Sequence, residues 1–270
     1  MSHYSLKDKY ALVTGASSGI GKEIARCLAE EGTHCVLSAL PSEASALESV
    51  ASELKFRKKI NTWALAIDLA TDNGPRELYE KMKQCIPRLD ILINNAGILT
   101  YGVFHEIPLI QHEKLLRVNV RAYMLLMHYA LGDMMRQGQG RILNVSSMAA
   151  FQSTSYHSPY GASKAFVQSL SEGVNLELKG KNINIITLNP GLTDTPLLSA
   201  YPRKIWFLKI CKLYTPAQVA KAGVSTLKDG KDICIPGWDN WFLAHIVPRL
   251  LPRSWVNRIA YLMLKQNSAK

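Results

Sequence analysis

A chain of 270 residues, 47% hydrophobic and 20% charged, has the size and balance of one globular domain with a large core. Its formal net charge of +11 comes from basic residues scattered along the sequence, which favours phosphate-bearing ligands or anionic surfaces in general. No zinc-ligand spacing, basic zipper or aromatic RNA-binding signature accompanies this charge, so we expect no nucleic-acid partner and no metal site.

The N-terminus and the cysteines both bear on cellular location. Residues 1–9 are polar and lack the apolar core of a secretory signal, and no uncharged apolar run reaches the roughly eighteen residues of a membrane-spanning helix. The five cysteines are widely spaced and odd in number, which suits free thiols in a reducing compartment. We therefore expect a cytoplasmic protein.

Short apolar runs alternate with helical segments along the chain. The first run, residues 10–14, precedes a glycine-rich turn and a helical segment over residues 20–31. Six further runs are each separated by enough residues for a helix, and they cover residues 34–40, 62–67, 91–94, 141–146, 182–188 and 232–235. This alternation predicts an α/β, doubly wound, Rossmann-like fold with a mostly seven-stranded parallel sheet and helices on both faces.

The turn after the first predicted strand reads Thr14-Gly-Ala-Ser-Ser-Gly-Ile-Gly21. Missing side chains at Gly15, Gly19 and Gly21 let backbone amides approach an anion, and the N-terminus of the next helix favours a pyrophosphate there. The spacing differs from G-x-G-x-x-G, so the indication comes from the strand, turn and helix context. We predict a dinucleotide-binding turn, with an ordinary tight turn as the alternative.

Two further segments follow predicted strands at the same edge of the sheet. Asn94-Asn-Ala-Gly97 closes the fourth strand, where small residues allow an adenosine to approach closely. Asp68 follows the third strand and can accept a hydrogen bond from an adenine amino group, or simply cap a helix or turn.

The longest predicted helix covers residues 111–135, about 37 Å at 1.5 Å per residue, with apolar side chains on much of its circumference. We expect it to be buried, partly at a subunit contact. Asn119 lies inside it between Val118 and Val120, and a buried amide needs hydrogen-bonding partners. Two roles stay open, a water-mediated proton path toward Lys164 and a satisfied structural amide.

Tyr160 and Lys164 lie four residues apart in a helix predicted over residues 159–179, so they share one face. A nearby ammonium favours the phenolate and is expected to lower the tyrosine pKa from near 10, which makes proton transfer practicable. Ser147 follows the fifth strand and can hydrogen-bond a substrate carbonyl, with Ser146 as its rival. A solvated helix face is the alternative for the Tyr-x-x-x-Lys pair taken alone.

These motifs, in this order, resemble the short-chain dehydrogenase/reductase family over roughly residues 7–228, a span that also includes Asn189-Pro-Gly191. The resemblance implies hydride transfer between a nicotinamide cofactor and a carbonyl or secondary alcohol. It implies that Tyr160 is the acid/base, Lys164 also binds the nicotinamide ribose, Ser147 orients the substrate and Asn119 supports a proton relay. The motifs and the resemblance together predict cofactor contacts at Gly15, Ser17, Ser18, Gly19, Ile20, Gly21, Asp68, Leu69, Asn95, Ala96, Gly97, Tyr160, Lys164, Pro190, Gly191, Thr193 and Thr195.

The end of the second strand bears on cofactor choice. Relatives that prefer NAD usually carry an acidic residue there, whereas Ala39 is neutral and does not repel a 2′-phosphate. The arginine that NADP-preferring relatives often carry next is Leu40, and the glycine turn contains no basic residue. We predict NADP(H), with NAD(H) left open.

Two aromatic and basic segments follow the catalytic motifs. Residues 197–213 include Trp206, Arg203 and Lys204, and we expect a lid over a hydrophobic substrate or else an amphipathic surface helix. Residues 236–270 form an aromatic and arginine-rich C-terminal extension, for which we expect a subunit contact or a cover over the substrate site, and peripheral membrane attachment second. Residues 1–270 are thus predicted to form a single catalytic domain.

The substrate and assembly are predicted only by class. The aromatic segments suggest a large apolar carbonyl compound such as a steroid, fatty acyl or aromatic ketone. We expect a homodimer or homotetramer. The alternative function is a catalytically weak NADP(H)-binding sensor or scaffold, possibly membrane-associated, and the presence of Ser147, Tyr160 and Lys164 argues against it.

Overall fold

The computed structural model describes residues 4–202, 205 and 207–265. Within them, seven strands form one sheet in the order β3-β2-β1-β4-β5-β6-β7, with every neighbouring pair parallel. The predicted doubly wound sheet is confirmed. The strands are β1 Tyr10–Thr14, β2 His34–Ala39, β3 Thr62–Ala66, β4 Ile91–Asn94, β5 Gln139–Val145, β6 Asn182–Leu188 and β7 Ile233–Cys234.

Helices connect the strands and flank both faces of the sheet. The described α-helices are α1 Gly19–Glu30, α2 Ala44–Lys58, α3 Gly74–Cys85, α4 Leu109–Leu116, α5 Tyr123–Gln137, α6 Ser158–Glu177, α7 Phe207–Ile210, α8 Pro216–Asp229, α9 Trp238–His245, α10 Val247–Leu250 and α11 Arg253–Leu264.

Two apolar cores lie on opposite faces of the sheet, because successive side chains of a strand point to opposite sides. The first core joins alternate strand residues, such as Val13 and Leu37, to α1, α2 and α8. The second joins Leu12, Val36 and Leu92 to α3, α5 and α6. Burial on both faces explains why the strands read as continuous apolar runs in the sequence.

The long helix is less regular than predicted. Instead of one α-helix over residues 111–135, the chain forms α4, a π-helical segment Arg117–Ala122 and then α5. A π-helical turn holds an extra residue, which a regular 3.6-residue pattern does not reveal, and such turns often occur at functional sites. Gly138 then ends α5 in a left-handed conformation, with φ 71°.

The last strand is also shorter than predicted, two residues instead of residues 232–235. β7 forms one edge of the sheet and pairs only with Thr187 and Leu188 at the end of β6. The sheet reverses its strand order around β1, which has β2 on one side and β4 on the other. A crevice at such a reversal, beyond the carboxyl ends of the strands, is where open α/β sheets bind ligands.

Candidate active site

The glycine turn lies at this crevice and is packed too tightly for side chains. Gly15 and Gly19 have φ of +64° and +56°, in the left-handed region. A Cβ atom on Gly15 would lie 2.9 Å from the Cα of Ala96, and one on Gly21 would lie 2.2 Å from the carbonyl oxygen of Gly15. Ser18 begins α1 without a side-chain cap, which leaves the first-turn amides of the helix available to an anion.

Hydrogen bonds hold the glycine turn against the segment that follows β4. The Thr14 hydroxyl accepts hydrogen bonds from the backbone amides of Asn95 and Ala96, at 2.9 and 3.1 Å. The Asn95 side chain donates to the carbonyl oxygens of Thr14 and Gly15, at 2.9 and 3.1 Å. These bonds fix two predicted cofactor segments relative to each other before any ligand arrives.

One cavity of about 550 Å³ brings most of the predicted site residues together. Gly21 and Asn119 do not line it; Gly21 packs beneath the turn, and Asn119 lies behind the wall. The predicted residues that do line it are Gly15, Ser17, Ser18, Gly19, Ile20, Asp68, Leu69, Asn95, Ala96, Gly97, Ser147, Tyr160, Lys164, Pro190, Gly191, Thr193 and Thr195. A glycine-walled cleft of this kind fits the pyrophosphate of a dinucleotide.

Tyr160 and Lys164 lie one turn apart on α6, and both are buried. The Lys164 Nζ lies 5.7 Å from the centre of the Tyr160 ring and donates to the carbonyl oxygen of Val145 at 2.8 Å. It also lies 3.5 Å from the Tyr123 hydroxyl. Lys164 is therefore held by the end of β5 and by α5, with its amino group facing the Tyr160 ring.

Burial changes the expected pKa of the pair. Desolvation raises the pKa of Tyr160 above its usual value, and a hydrogen bond with Ser147 offsets only part of this rise. Desolvation also lowers the pKa of Lys164 to about 7, which weakens its positive charge at neutral pH. The expectation that Lys164 lowers the tyrosine pKa is wrong for the protein alone, because residue spacing does not reveal how deeply both groups are buried.

The structure separates the two adjacent serines. The Ser146 hydroxyl is buried and donates to the carbonyl oxygen of Lys164 at 2.8 Å, so it fastens β5 to α6. The Ser147 hydroxyl lies at the cavity wall, accepts a hydrogen bond from the amide of Ala149 at 3.1 Å, and bonds Tyr160. Both serines line the cavity, and Ser147 is the one of the two that bonds Tyr160.

Asn119, in the π-helical segment, has all its side-chain groups engaged. Its amide nitrogen donates to the Ile98 carbonyl oxygen at 2.9 Å and the Ser163 hydroxyl at 3.1 Å, and its oxygen accepts from the Ile98 amide at 2.9 Å. A Cβ on Gly97 would lie 3.5 Å from both the Asn119 oxygen and the Lys164 Nζ. These contacts are those of a structural amide beside Lys164, and the proton relay stays a prediction.

Asp68 takes the turn-stabilising role, and its contact with adenine stays a prediction. Its carboxylate accepts a hydrogen bond from the Ala70 amide at 2.8 Å, which stabilises the turn after β3. Asp68 and Leu69 also lie at the cavity wall. The turn therefore presents Asp68 to the part of the cavity nearest β2 and β3.

Glu43 is a site residue that the sequence did not indicate. It ends a short turn, Pro41–Glu43, after β2, and its carboxylate accepts a hydrogen bond from the Ser17 hydroxyl at 2.8 Å. Both residues line the cavity. The sequence interpretation considered an acidic residue only at the end of β2, where Ala39 is neutral. The available signal for Glu43 was Pro41, which turns the chain back toward the glycine turn.

His157 is a second residue that the sequence did not indicate. It precedes α6, its ring centre lies 6.0 Å from that of Tyr160, and its Nδ1 is buried without a partner among the described residues. Burial lowers the pKa of His157 to about 4, so the ring is neutral at physiological pH. His157 lines the cavity, and its neutral ring carries a hydrogen-bonding nitrogen that no described residue uses.

Much of the remaining cavity wall is apolar and comes mainly from the predicted lid and C-terminal extension. Arg203, Lys204, Trp206 and residues 266–270, which the sequence included in those segments, lie outside the described residues. The apolar lining residues are Phe151, Leu197, Leu198, Tyr201, Phe207, Leu243, Val247, Val256, Ile259, Ala260, Met263 and Leu264. The glycine turn, these apolar side chains and Tyr160 therefore share one cavity.

Comparison with known proteins agrees with this geometry. The family model for short chain dehydrogenase matches residues 9–205. An uncharacterised oxidoreductase of Staphylococcus saprophyticus is 34% identical over 192 residues, which cover 71% of this chain and 81% of the relative.

Solved structures with the same architecture cover almost the whole chain. A short-chain dehydrogenase from Sphingobium yanoikuyae in complex with NADPH matches with a TM-score of 0.77 and 26% identity, covering 97% of this chain and 98% of that one. The bulky-bulky ketone specific alcohol dehydrogenase from Comamonas testosteroni matches with a TM-score of 0.76 and 26% identity, covering 97% and 96%. The chain belongs to the short-chain dehydrogenase family and is an NAD(P)-dependent oxidoreductase that acts on CH–OH groups.

Proposed function

We propose that this enzyme reduces a bulky apolar ketone to a secondary alcohol with NADPH. The observation that carries the proposal is that Tyr160 and Ser147 line one cavity together with the glycine turn and with apolar side chains of the C-terminal helices. A carbonyl held there would lie beside two hydroxyl groups, one of which belongs to a buried phenol.

The protonation state of Tyr160 is compatible with the reducing direction. Because burial raises it, the phenol is protonated at neutral pH and can donate its proton to the oxygen of a ketone as that oxygen becomes negative. The Ser147 hydroxyl gives a second hydrogen bond to the same oxygen, which stabilises the developing charge. The nicotinamide cofactor, when bound, supplies the hydride that reaches the carbonyl carbon.

The chain's own residues are arranged to hold such a cofactor. The glycine turn and the N-terminus of α1 would bind the pyrophosphate, and Asp68 with Leu69 would lie beside the adenine. Lys164 would bind the nicotinamide ribose. The segment with Pro190, Gly191, Thr193 and Thr195 would line the nicotinamide, because it borders the same cavity next to Tyr160.

The choice of NADP(H) rests on the neutral end of β2 and on the NADPH complex of the Sphingobium neighbour. Ala39 and Leu40 line the cavity and carry no charge that would repel a 2′-phosphate. Glu43 opposes this choice, because its carboxylate bonds Ser17 close to the same end of the cavity. NADPH binding on this proposal requires the Glu43 carboxylate to turn away from Ser17.

Removing the Glu43 charge tests the cofactor proposal. Glu43→Gln is expected to tighten NADPH binding about tenfold and to change NADH binding little, because only NADPH carries the phosphate that the carboxylate repels. Fluorescence titration of the reduced cofactors measures both affinities, and Glu48→Gln, an exposed position on α2, is the matched control. A wild-type kcat/KM at least tenfold better with NADH than with NADPH would make the NADP(H) assignment wrong.

The apolar end of the cavity supports the substrate class. Aromatic and aliphatic side chains from α7, α9, α10 and α11 surround it, and His157 is a polar group at its edge. The name of the Comamonas neighbour describes an enzyme specific for ketones with two bulky substituents. We include steroid, fatty acyl and aromatic ketones in the proposed class.

A carbonyl panel with a Tyr160→Phe variant tests the reaction itself. The variant is expected to lower kcat by at least a hundredfold and to leave the dissociation constant for NADPH within about twofold, because only the transferable proton is lost. Absorbance of the reduced nicotinamide measures turnover, and Tyr10→Phe, outside the cavity, controls for loss of a phenol. Retention of more than about a tenth of the activity would exclude Tyr160 as the proton donor. Tight cofactor binding without turnover on any carbonyl would instead favour the sensor or scaffold function.

We also propose that the enzyme assembles as a homodimer or homotetramer through α5 and α6. Leu116, Met124, Phe166 and Leu176 are large apolar side chains exposed on these helices and on the adjoining end of α4. Light scattering at several protein concentrations measures the assembly, and Phe166→Glu is expected to dissociate it.

A further inference from the structure

The helices α9, α10 and α11 carry large apolar side chains on two opposite faces. The inner side chains, among them Val247, Val256 and Ala260, line the substrate cavity. The outer side chains do not touch the cavity; Trp238, Leu250 and Trp255 are 80%, 73% and 65% exposed. We define the outer apolar face as Trp238, Trp241, Phe242, Leu250, Trp255 and Leu262.

Helical spacing shows that the exposed residues form stripes. On α11, Trp255, Ile259 and Leu262 recur every three or four residues, and Val256 and Ala260 form the opposite, buried stripe. On α9, Trp238, Trp241 and Phe242 lie on one side of the helix. A helix with apolar residues on both faces is expected to have an apolar partner on each, and the outer face has none among the described residues.

The charges around the outer apolar face are almost all positive. Arg253, Arg258 and Lys265 are exposed on or next to α11. Asp239 is the only acidic residue between positions 235 and 265, and the Tyr214 hydroxyl already donates a hydrogen bond to it. A second copy docked on this face by a twofold axis would bring these like charges together, so self-association through the outer apolar face is disfavoured. Aromatic and basic side chains together match an anionic membrane surface.

Part of the cavity wall is exposed beside this same face. Leu243 and Ile259 both line the cavity and are about half exposed, so they form part of its rim beside the outer apolar face. An apolar substrate concentrates in a bilayer rather than in water. In the part of the chain that the structure describes, no helix is long and apolar enough to cross a membrane.

We propose that the outer apolar face docks on an anionic lipid bilayer, with the cavity rim directed at the membrane surface. Trp238, Trp241 and Trp255 would insert into the interfacial region, and Arg253, Arg258 and Lys265 would pair with lipid phosphates. Apolar ligands then reach the cavity from the lipid without crossing water. The docking itself does not depend on the proposed reaction.

Vesicle sedimentation tests the docking. The full chain is mixed with vesicles of phosphatidylcholine alone or with about one third phosphatidylglycerol, and the bound fraction is measured at low and high salt. We expect binding to the anionic vesicles, weakened by salt. The double variant Trp238→Ser and Trp255→Ser is expected to lower the partition coefficient at least tenfold, and Arg253→Glu with Arg258→Glu to abolish the preference for anionic lipid.

The control is Phe56→Ser, which removes a side chain 89% exposed on α2, beside the opposite edge of the sheet. It is expected to bind vesicles like the wild type. Equal unfolding temperatures and NADPH affinities show that each variant is folded. The proposal is overturned if the wild type does not sediment with anionic vesicles, if Phe56→Ser loses as much binding as the tryptophan variant, or if the tryptophan changes leave vesicle binding intact and dissociate an oligomer instead.

Discussion

Lys164 shows how strongly burial controls a single ionisable residue. Its side chain is buried beside Tyr123 and Tyr160, and desolvation lowers its pKa from 10.5 to about 7. Between these two values the unfolded chain holds the proton more tightly than the folded one. The free energy of unfolding therefore rises with pH across this window. The stability gained by pH 10.5 is lost again as the pH falls to the folded pKa of about 7.

This linkage predicts a difference between the wild type and Lys164→Met. From about pH 7 to pH 10.5 the free energy of unfolding of the wild type is expected to rise by several kcal/mol relative to the variant, at about 1.4 kcal/mol per pKa unit. Urea unfolding of the cofactor-free protein at intervals across the window measures it. Lys55→Met changes an exposed position on α2, and its free energy of unfolding is expected to vary with pH in parallel with that of the wild type. Parallel curves for Lys164→Met as well would show that the lysine keeps its ordinary pKa.

The sequence could predict the positions of single catalytic residues but not their environment. Tyr160 and Lys164 share a helix face by their spacing, and Ser147 follows a strand end, so simple periodicity brings the three together. Glu43 comes from a turn that is 26 residues away from Ser17 in sequence. No local pattern gives that contact, and neither does any pattern give the burial that determines the pKa values.

Among the elements, the π-helical segment Arg117–Ala122 supports the wall of the site. It interrupts a long helix at the point where Asn119 faces Ile98, just after β4, and Ser163 on α6. Three hydrogen bonds thus join the π-helical segment to the residues that follow β4 and to α6. This anchor lies directly behind the part of the wall formed by Gly97 and Lys164.

Replacing Asn119 is expected to lower both the free energy of unfolding and the cofactor affinity. Asn119→Leu leaves the amide and carbonyl groups of Ile98 without their partner, which is expected to lower the free energy of unfolding by about 2–4 kcal/mol and to weaken cofactor binding as well. Denaturant unfolding and fluorescence titration measure the two effects. Gln111→Leu, exposed at the start of the same helical stretch, is the control. Wild-type stability and cofactor affinity with a lost kcat would instead assign Asn119 to proton transfer.

At the level of elements, the sequence predicted the strands of the sheet better than it predicted the π-helical segment or the short length of β7. Each strand is a short apolar run bounded by turns, so strand number and parallel pairing follow from the pattern. The π-helical segment could not be predicted from the sequence, because its extra residue leaves no signal in a 3.6-residue pattern. The short β7 follows from its position at the sheet edge, which no property of residues 232–235 reveals.

In the whole molecule, the C-terminal helices complete a cavity that the sheet only begins. An aromatic chain fastens α11 to the body: Tyr261 stacks on Tyr156 at 5.9 Å, Tyr156 stacks on Tyr101 at 5.8 Å, and the Tyr101 hydroxyl donates to the carbonyl oxygen of Leu264. Tyr101 also contacts Tyr201 in the segment that follows β6. The sequence suggested a cover but could not place it, because contacts between distant aromatic residues leave no local signal.

A larger side chain in this part of the cavity is expected to limit the size of the ketones that the enzyme accepts. Ala260→Trp places an indole among the apolar lining residues, which is expected to raise KM for bulky ketones at least tenfold and to leave small ketones and NADPH binding nearly unchanged. Steady-state kinetics on a graded series of ketones measures the effect. Ser254→Trp, exposed on the same helix, provides the matched control. Equal losses on small and bulky ketones would show that α11 does not bound the substrate.

The first apolar core has a consequence for how the chain reaches its native state on the ribosome. Helix α1 forms early in synthesis, but its apolar side, including Leu28, packs against α8, which is made about two hundred residues later. The hydrogen bond from the amide of Tyr4 to the carbonyl oxygen of Lys228 likewise forms only after residue 228 has been synthesised. Since long-range pairing of this kind slows folding, the N-terminal half leaves the ribosome with an uncovered apolar surface. Nascent chains of this enzyme are therefore expected to need shielding from aggregation until residues near 228 have emerged.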